Sequence, residues 1–246
     1  MAYPFGQIEH CTYKKTFLKD VRVAVEFPKV KQSKVDMDAL RGFFMQFTDE
    51  TVNLEGLSDT ERATFCSKDN AIALKFGWDY AEVTLCTPTY SSFEASMPYW
   101  QWLIKYLSIL GVSSITRLVV RKYSALYFKS NTGDYNIRSF MSEVFCKDLM
   151  QLIPTSINSY KALNSLEKTW SVDDDESGTT FTTVFGIKKT DFFDKHDKLT
   201  LVNSIESKDG EFPVADLINR MEKYNKILFD AFHWCVKEDI IEKMKN

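Results

Sequence analysis

From Val214 to Met244 the apolar residues fall at Val214, Leu217, Met221, Tyr224, Leu228, Ala231 and Cys235. That three-four spacing continues for about eight turns. Phe212-Pro213 precedes it, and proline suits the first turn of a helix. The pattern predicts one C-terminal helix of about 30 residues, roughly 45 Å long, with a single apolar stripe. A rod of that kind is stable only against an apolar surface of similar length, and the rest of the chain must supply it.

Strands are the natural supply. Leu18, Val21, Val23, Val25 and Phe27 alternate with polar residues, with one slip near Asp20, and Pro28 ends the run. Segments 62–65, 72–76 and 83–86 read as three short strands, with turn signals at 67–70 and 77–79. Ile115 to Phe128 reads as a long strand rich in β-branched and aromatic residues. Residues 160–172, 179–187 and 198–207 read as three more. Helices are predicted after Asp36, whose carboxylate can cap Met37 to Phe47, and from Ser91 or Ser96 to Gly111. A short helix is predicted within 137–153.

The order predicts an α+β fold with helices on one face of antiparallel sheets. Each half carries a strand meander followed by a helix, so the halves read as a diverged duplication. The polar stretch after Pro154 divides them into residues 1–153 and 154–246, as two halves or one compact domain.

Composition narrows the function classes. Of 246 residues, 44% are hydrophobic and 26% charged, so disorder and low complexity are excluded. The net charge of −3 gives no global basic field for nucleic acid. Lys29, Lys31 and Lys34, with Lys188 and Lys189, read as solvated loop charge. No apolar run is long enough for a membrane span, and the N-terminal segment lacks a signal-peptide core. Five widely spaced cysteines without a CxxC pair argue against a disulfide framework or zinc knuckle, so a reducing cytoplasm is expected.

No GxSxG, HExxH, Walker or GxGxxG motif occurs. Asp191, Asp194, His196 and Asp197 have the chemistry of a divalent metal site, but the same residues suit a charged hairpin turn, which is the reading adopted. His233 and Cys235 are about 200° apart around a helix and cannot form a dyad. Neither a metal nor another cofactor is expected.

Strand alternation puts Arg117, Arg121, Tyr123 and Tyr127 on one face of the long strand, opposite Leu118, Val120 and Lys122. Guanidinium groups beside aromatic rings bind phosphate, carboxylate or a base. The competing reading pairs these arginines with acids of neighbouring strands. The run Asp173, Asp174, Asp175 and Glu176 is the second candidate contact, or else a solvated loop. Trp100 and Trp102 cannot both face one core from one helix, so one of them is expected against the other half or a partner.

Pro98-Tyr99-Trp100-Gln101-Trp102, Val120-Arg121-Lys122-Tyr123-Ser124-Ala125 and the terminal helix from Asn225 to Met244 are similar to motifs of a sporadically distributed, uncharacterised bacterial family of about this length. The family favours Arg at Lys122, Asn at Ala125 and His at Asn225. The resemblance implies a patchily inherited accessory or defence-type protein and assigns no site. Together these features predict a non-enzymatic, protein-binding accessory or regulatory protein, with a partner encoded nearby in a defence or toxin-linked locus. The alternative is a small-molecule or nucleotide binder with an aromatic-lined cavity between sheet and long helix.

Overall fold

The computed structural model describes residues 3–9, 11, 13, 15–47, 62–67, 69–129, 137–155, 165–189 and 196–245. Among them the strands are β1 (Leu18–Glu26), β2 (Ala63–Cys66), β3 (Ile72–Gly77), β4 (Tyr80–Cys86), β5 (Ser114–Ile115), β6 (Arg117–Lys129), β7 (Ser165–Asp174), β8 (Thr179–Lys189), β9 (His196–Ser207) and β10 (Phe212–Pro213). The helices are α1 (Met37–Phe44), α2 (Met97–Ile109), α3 (Ile137–Val144), α4 (Lys147–Met150), α5 (Leu217–Cys235) and α6 (Glu238–Lys245). Eight strands form an antiparallel sheet in the order β2-β3-β4-β1-β6-β9-β8-β7, and β10 pairs with β5 apart from it. The α+β expectation is met.

The chain falls into two compact units, each assembled from separated stretches. One comprises Asp20–Arg121 and Glu206–Asn225. In it, β1 leads through α1 to the meander β2-β3-β4 and then α2, with spatial order β2-β3-β4-β1. The other comprises Met1–Lys19, Lys122–Ile205 and Lys226–Asn246. There β6 leads through α3 and α4 to the meander β7-β8-β9, with order β7-β8-β9-β6. The strand-helix-meander connectivity is the same in both units.

Local chemistry explains the element ends. The Asp36 carboxylate accepts from the backbone N–H groups of Asp38 and Ala39, as a helix cap should. Of the two starts read for α2, the later one is used, with Pro98 in the first turn. Gly111 closes that helix with φ +69°.

Each unit has its own apolar core. In the first, Phe43 and Phe44 from α1, Phe76 from β3 and Tyr106 from α2 are buried ring on ring, with Phe76 and Tyr106 centroids 4.5 Å apart. The Tyr106 hydroxyl is satisfied by the Gly77 carbonyl at 2.8 Å. Trp100 is fully buried, and Trp102 stacks edge-on to Phe47 at 4.8 Å. The second tryptophan contact lies inside the unit, with Phe47 and not with the other half. In the second unit, Met141, Phe145, Phe185, Leu201, Cys235 and Met244 close the core.

The terminal rod is shorter than its periodicity predicts. A single turn of 3-10 helix (Val214–Asp216) leads into α5, whose 19 residues span about 28 Å. The chain then leaves the helix at Val236, which bridges antiparallel to Phe145. Cys146 N–H donates to the Cys235 carbonyl, and Lys237 N–H donates to that of Val144. Those tertiary bonds replace intrahelical ones. Ile241 and Met244 of α6 are buried as well, so the apolar spacing runs on across the break and hides it. Among the described residues no helix is long and apolar enough to cross a membrane.

Candidate functional site

Alternation gives each strand a core side and a polar side. In the first unit Val21, Val23, Val25, Val83 and Leu85 are buried, while Arg22, Glu26, Glu82 and Thr84 point the other way. Glu82 is nonetheless only 3% exposed. Its carboxylate pairs with Arg22, accepts from the Tyr80 hydroxyl, and lies 3.9 Å from the Lys75 ammonium. Lys75 stands opposite Glu82 in the β3·β4 register. The Arg62 guanidinium lies 3.6 Å from the Tyr80 ring centroid. Burial and the neighbouring carboxylate raise the Tyr80 pKa. One tyrosine and two cations thus meet one internal acid, with Arg62 over the tyrosine ring.

On the same side, Arg117 is held from both flanks. Its Nε and Nη2 donate to Glu206 at 2.6 and 2.8 Å, and its Nη1 donates to Glu26 at 2.8 Å. These bonds, the Glu206 pair first, raise its pKa despite partial burial. Arg121 lies 3.7 Å from Asp20. Both candidate arginines are therefore engaged by acids of their own unit, the competing reading of the sequence pattern.

The candidate tyrosines have different company. In the second unit the Lys198 ammonium lies 4.8 Å from the Tyr123 ring centroid and 5.6 Å from that of Tyr127. Lys19 lies 5.5 Å from Tyr127, whose side is open at 49% exposure. Burial works against the Lys198 charge, but the tyrosine hydroxyls outweigh it and raise the pKa. Among the described residues no carboxylate stands at ion-pair distance from Lys19 or Lys198.

The acidic run splits into parts. Asp173 and Asp174 end β7, and Asp175 and Glu176 begin a tight turn completed by Ser177 and Gly178, with φ +62° at the glycine. Thr180 donates to Asp173 at 2.7 Å, and the Ser177 hydroxyl holds the Asp174 pKa down. Asp175 and Glu176 are exposed. Two of the four acids thus build the turn.

Asp191 and Asp194 lie outside the described residues, while Asp197 is buried in β9. Among the described residues no three His, Cys, Asp or Glu side chains gather in metal-binding geometry. His233 bonds the Tyr13 hydroxyl, and Cys235 sits 3.7 Å from Asn203 and 3.8 Å from Thr183. Burial pushes the Cys235 thiol up to about 12. These two side chains part company, as the helix angle requires.

Lys122 occupies the core side of β6, and burial pulls its pKa down to about 8. Between about pH 8 and its ordinary value near 10.5 the unfolded chain holds a proton that the folded chain has released. Stability from this group therefore rises with pH across that window. Raised thiol and tyrosine pKa values act oppositely, but they cancel in a comparison with Lys122→Met. Urea unfolding at pH 8 and pH 10 should show the gap between parent and variant moving about 2 kcal/mol in the parent's favour.

Glu82 and Lys198 escape the sequence reading. Alternation in β4 assigns Glu82 to the polar side, and only the strand register reveals that Lys75 and Arg22 enclose it. Lys198 opens the predicted strand 198–207 beside the polar DFFDKHD run, and no local pattern shows that it meets Tyr123 and Tyr127.

No protein-family model matches this chain, and no curated protein matches it. Among solved structures, one described as "KH domains" is 8% identical, with a TM-score of 0.17. The alignment covers 90% of this chain and 63% of that one, so less than two thirds of the solved chain is spanned. A likeness of that size carries no argument about fold or function.

Proposed function

We propose that this chain is a protein-binding accessory or regulatory protein that contacts its partner through the polar side of its sheet. The observation that carries the reading is the half-exposed Tyr127, flanked by lysines on a strand surface. Tyrosines with a rigid apolar body and a polar tip are typical anchors of protein interfaces. The resemblance to a patchily inherited bacterial family adds the expectation of a partner encoded nearby in a defence or toxin-linked locus, with both proteins in the cytoplasm.

The test is co-purification of the full chain with each neighbouring gene product, followed by light scattering. A stoichiometric complex with one of them is expected. If every product elutes free and the chain stays monomeric at all concentrations, the reading fails.

A further inference from the structure

Each unit carries tyrosine and cation chemistry on the polar side of its strands, and the two differ in one respect. In the first, Tyr80, Arg22 and Lys75 are closed by the internal carboxylate of Glu82, and Arg62 lies over the Tyr80 ring. In the second, Tyr123, Tyr127, Lys19 and Lys198 come together with no carboxylate among the described residues at ion-pair distance from either lysine. Resting on the protein-binding reading above, we propose that these four residues bind the carboxylates of an extended acidic segment supplied by a partner protein. The partner's acid stands where Glu82 stands in the other cluster.

The geometry suits that occupant. Lys198 is held against two rings, so an incoming carboxylate meets an ammonium already confined, with other N–H donors to offer. Both ammonium groups lie within 6 Å of the Tyr127 centroid, so no more than about 11 Å separates them. Alternate side chains on an extended strand are roughly 7 Å apart, within reach of both lysines. The open side of Tyr127 offers apolar area to the stem of a glutamate. Two cations on a chain of net charge −3 make a small site, suited to a few carboxylates rather than a phosphate backbone.

Fluorescence anisotropy of the full chain tests this with three labelled probes: a peptide alternating Glu and Ser, its Gln counterpart, and a single-stranded oligonucleotide. The Glu peptide should bind, weaken as salt rises, and lose about tenfold when Glu becomes Gln. Lys198→Glu should abolish binding and Tyr127→Ala should weaken it about fivefold. Lys223→Glu, on an exposed turn of α5, should leave it unchanged. Lys198→Gln removes the charge conservatively should the reversal fail to fold. Absence of salt-dependent Glu-peptide binding, full binding by both Lys198 variants, or preference for the oligonucleotide overturns the proposal. If a neighbouring gene product binds Lys198→Glu at parental affinity, this site is wrong while the protein-binding reading stands. If the Glu peptide binds as expected but no neighbouring product does, the site stands and the nearby partner falls.

Discussion

Gly186→Ala is expected to separate β7 from β8 and to lower the unfolding temperature by about 10 °C, a loss of about 3 kcal/mol or more. A Cβ at this position would stand 2.2 Å from the Leu166 carbonyl oxygen and 3.0 Å from the Glu167 Cα. Both are backbone atoms, and Glu167 is the cross-strand partner of Gly186, so relief requires moving the strand. Moving β7 also disturbs Trp170, which packs against Phe181 at 5.9 Å and Trp234 at 5.1 Å. Gly42 provides the contrast. It lies inside α1 with nothing within 4 Å of its virtual Cβ. Gly42→Ala should therefore stabilise by about 0.5–1 kcal/mol, because alanine has the better helix propensity and fewer unfolded conformations. Thermal unfolding of the two variants beside the parent checks both signs.

Glu82→Ala should cost about 2–4 kcal/mol in urea unfolding. It removes the acceptor of the Tyr80 hydroxyl and leaves Arg22 without its carboxylate. The cost stays below that of a fully enclosed ion pair because Arg22 and Lys75 side chains are 31% and 43% exposed and can turn to water. Replacing both members, as in Arg22→Met with Glu82→Leu, should recover much of the loss, since no buried charge is then left unmatched. If the double variant is as unstable as the single one, the ion pair is not what holds this side of the sheet together.

How much of this was legible beforehand depends on the range of the interaction involved. Asp36 signalled the start of α1 and Gly111 the end of α2 because capping is local chemistry. Alternation put Arg117, Arg121, Tyr123 and Tyr127 on one side of β6 for the same reason. Which acids meet those arginines depends on Glu26 and Glu206, residues 91 and 89 positions away from Arg117, and no local pattern encodes that pairing. The break at Val236 was invisible for a related reason. It is made by the distant Phe145, while the buried Ile241 and Met244 preserve the helical rhythm beyond it. A meander beside a helix was visible in each half of the sequence, and the same strand-helix-meander connectivity recurs in the two units.

The claim that the polar side of β6 and β9 receives a partner is tested most directly by lysine acetylation footprinting. The full chain is modified with and without a bound neighbouring gene product, and each lysine is quantified by mass spectrometry. Lys19 and Lys198 should be protected several-fold in the complex while Lys223 reacts as before. Unchanged reactivity at Lys19 and Lys198, with protection at lysines elsewhere, would place the interface on another surface and contradict the account.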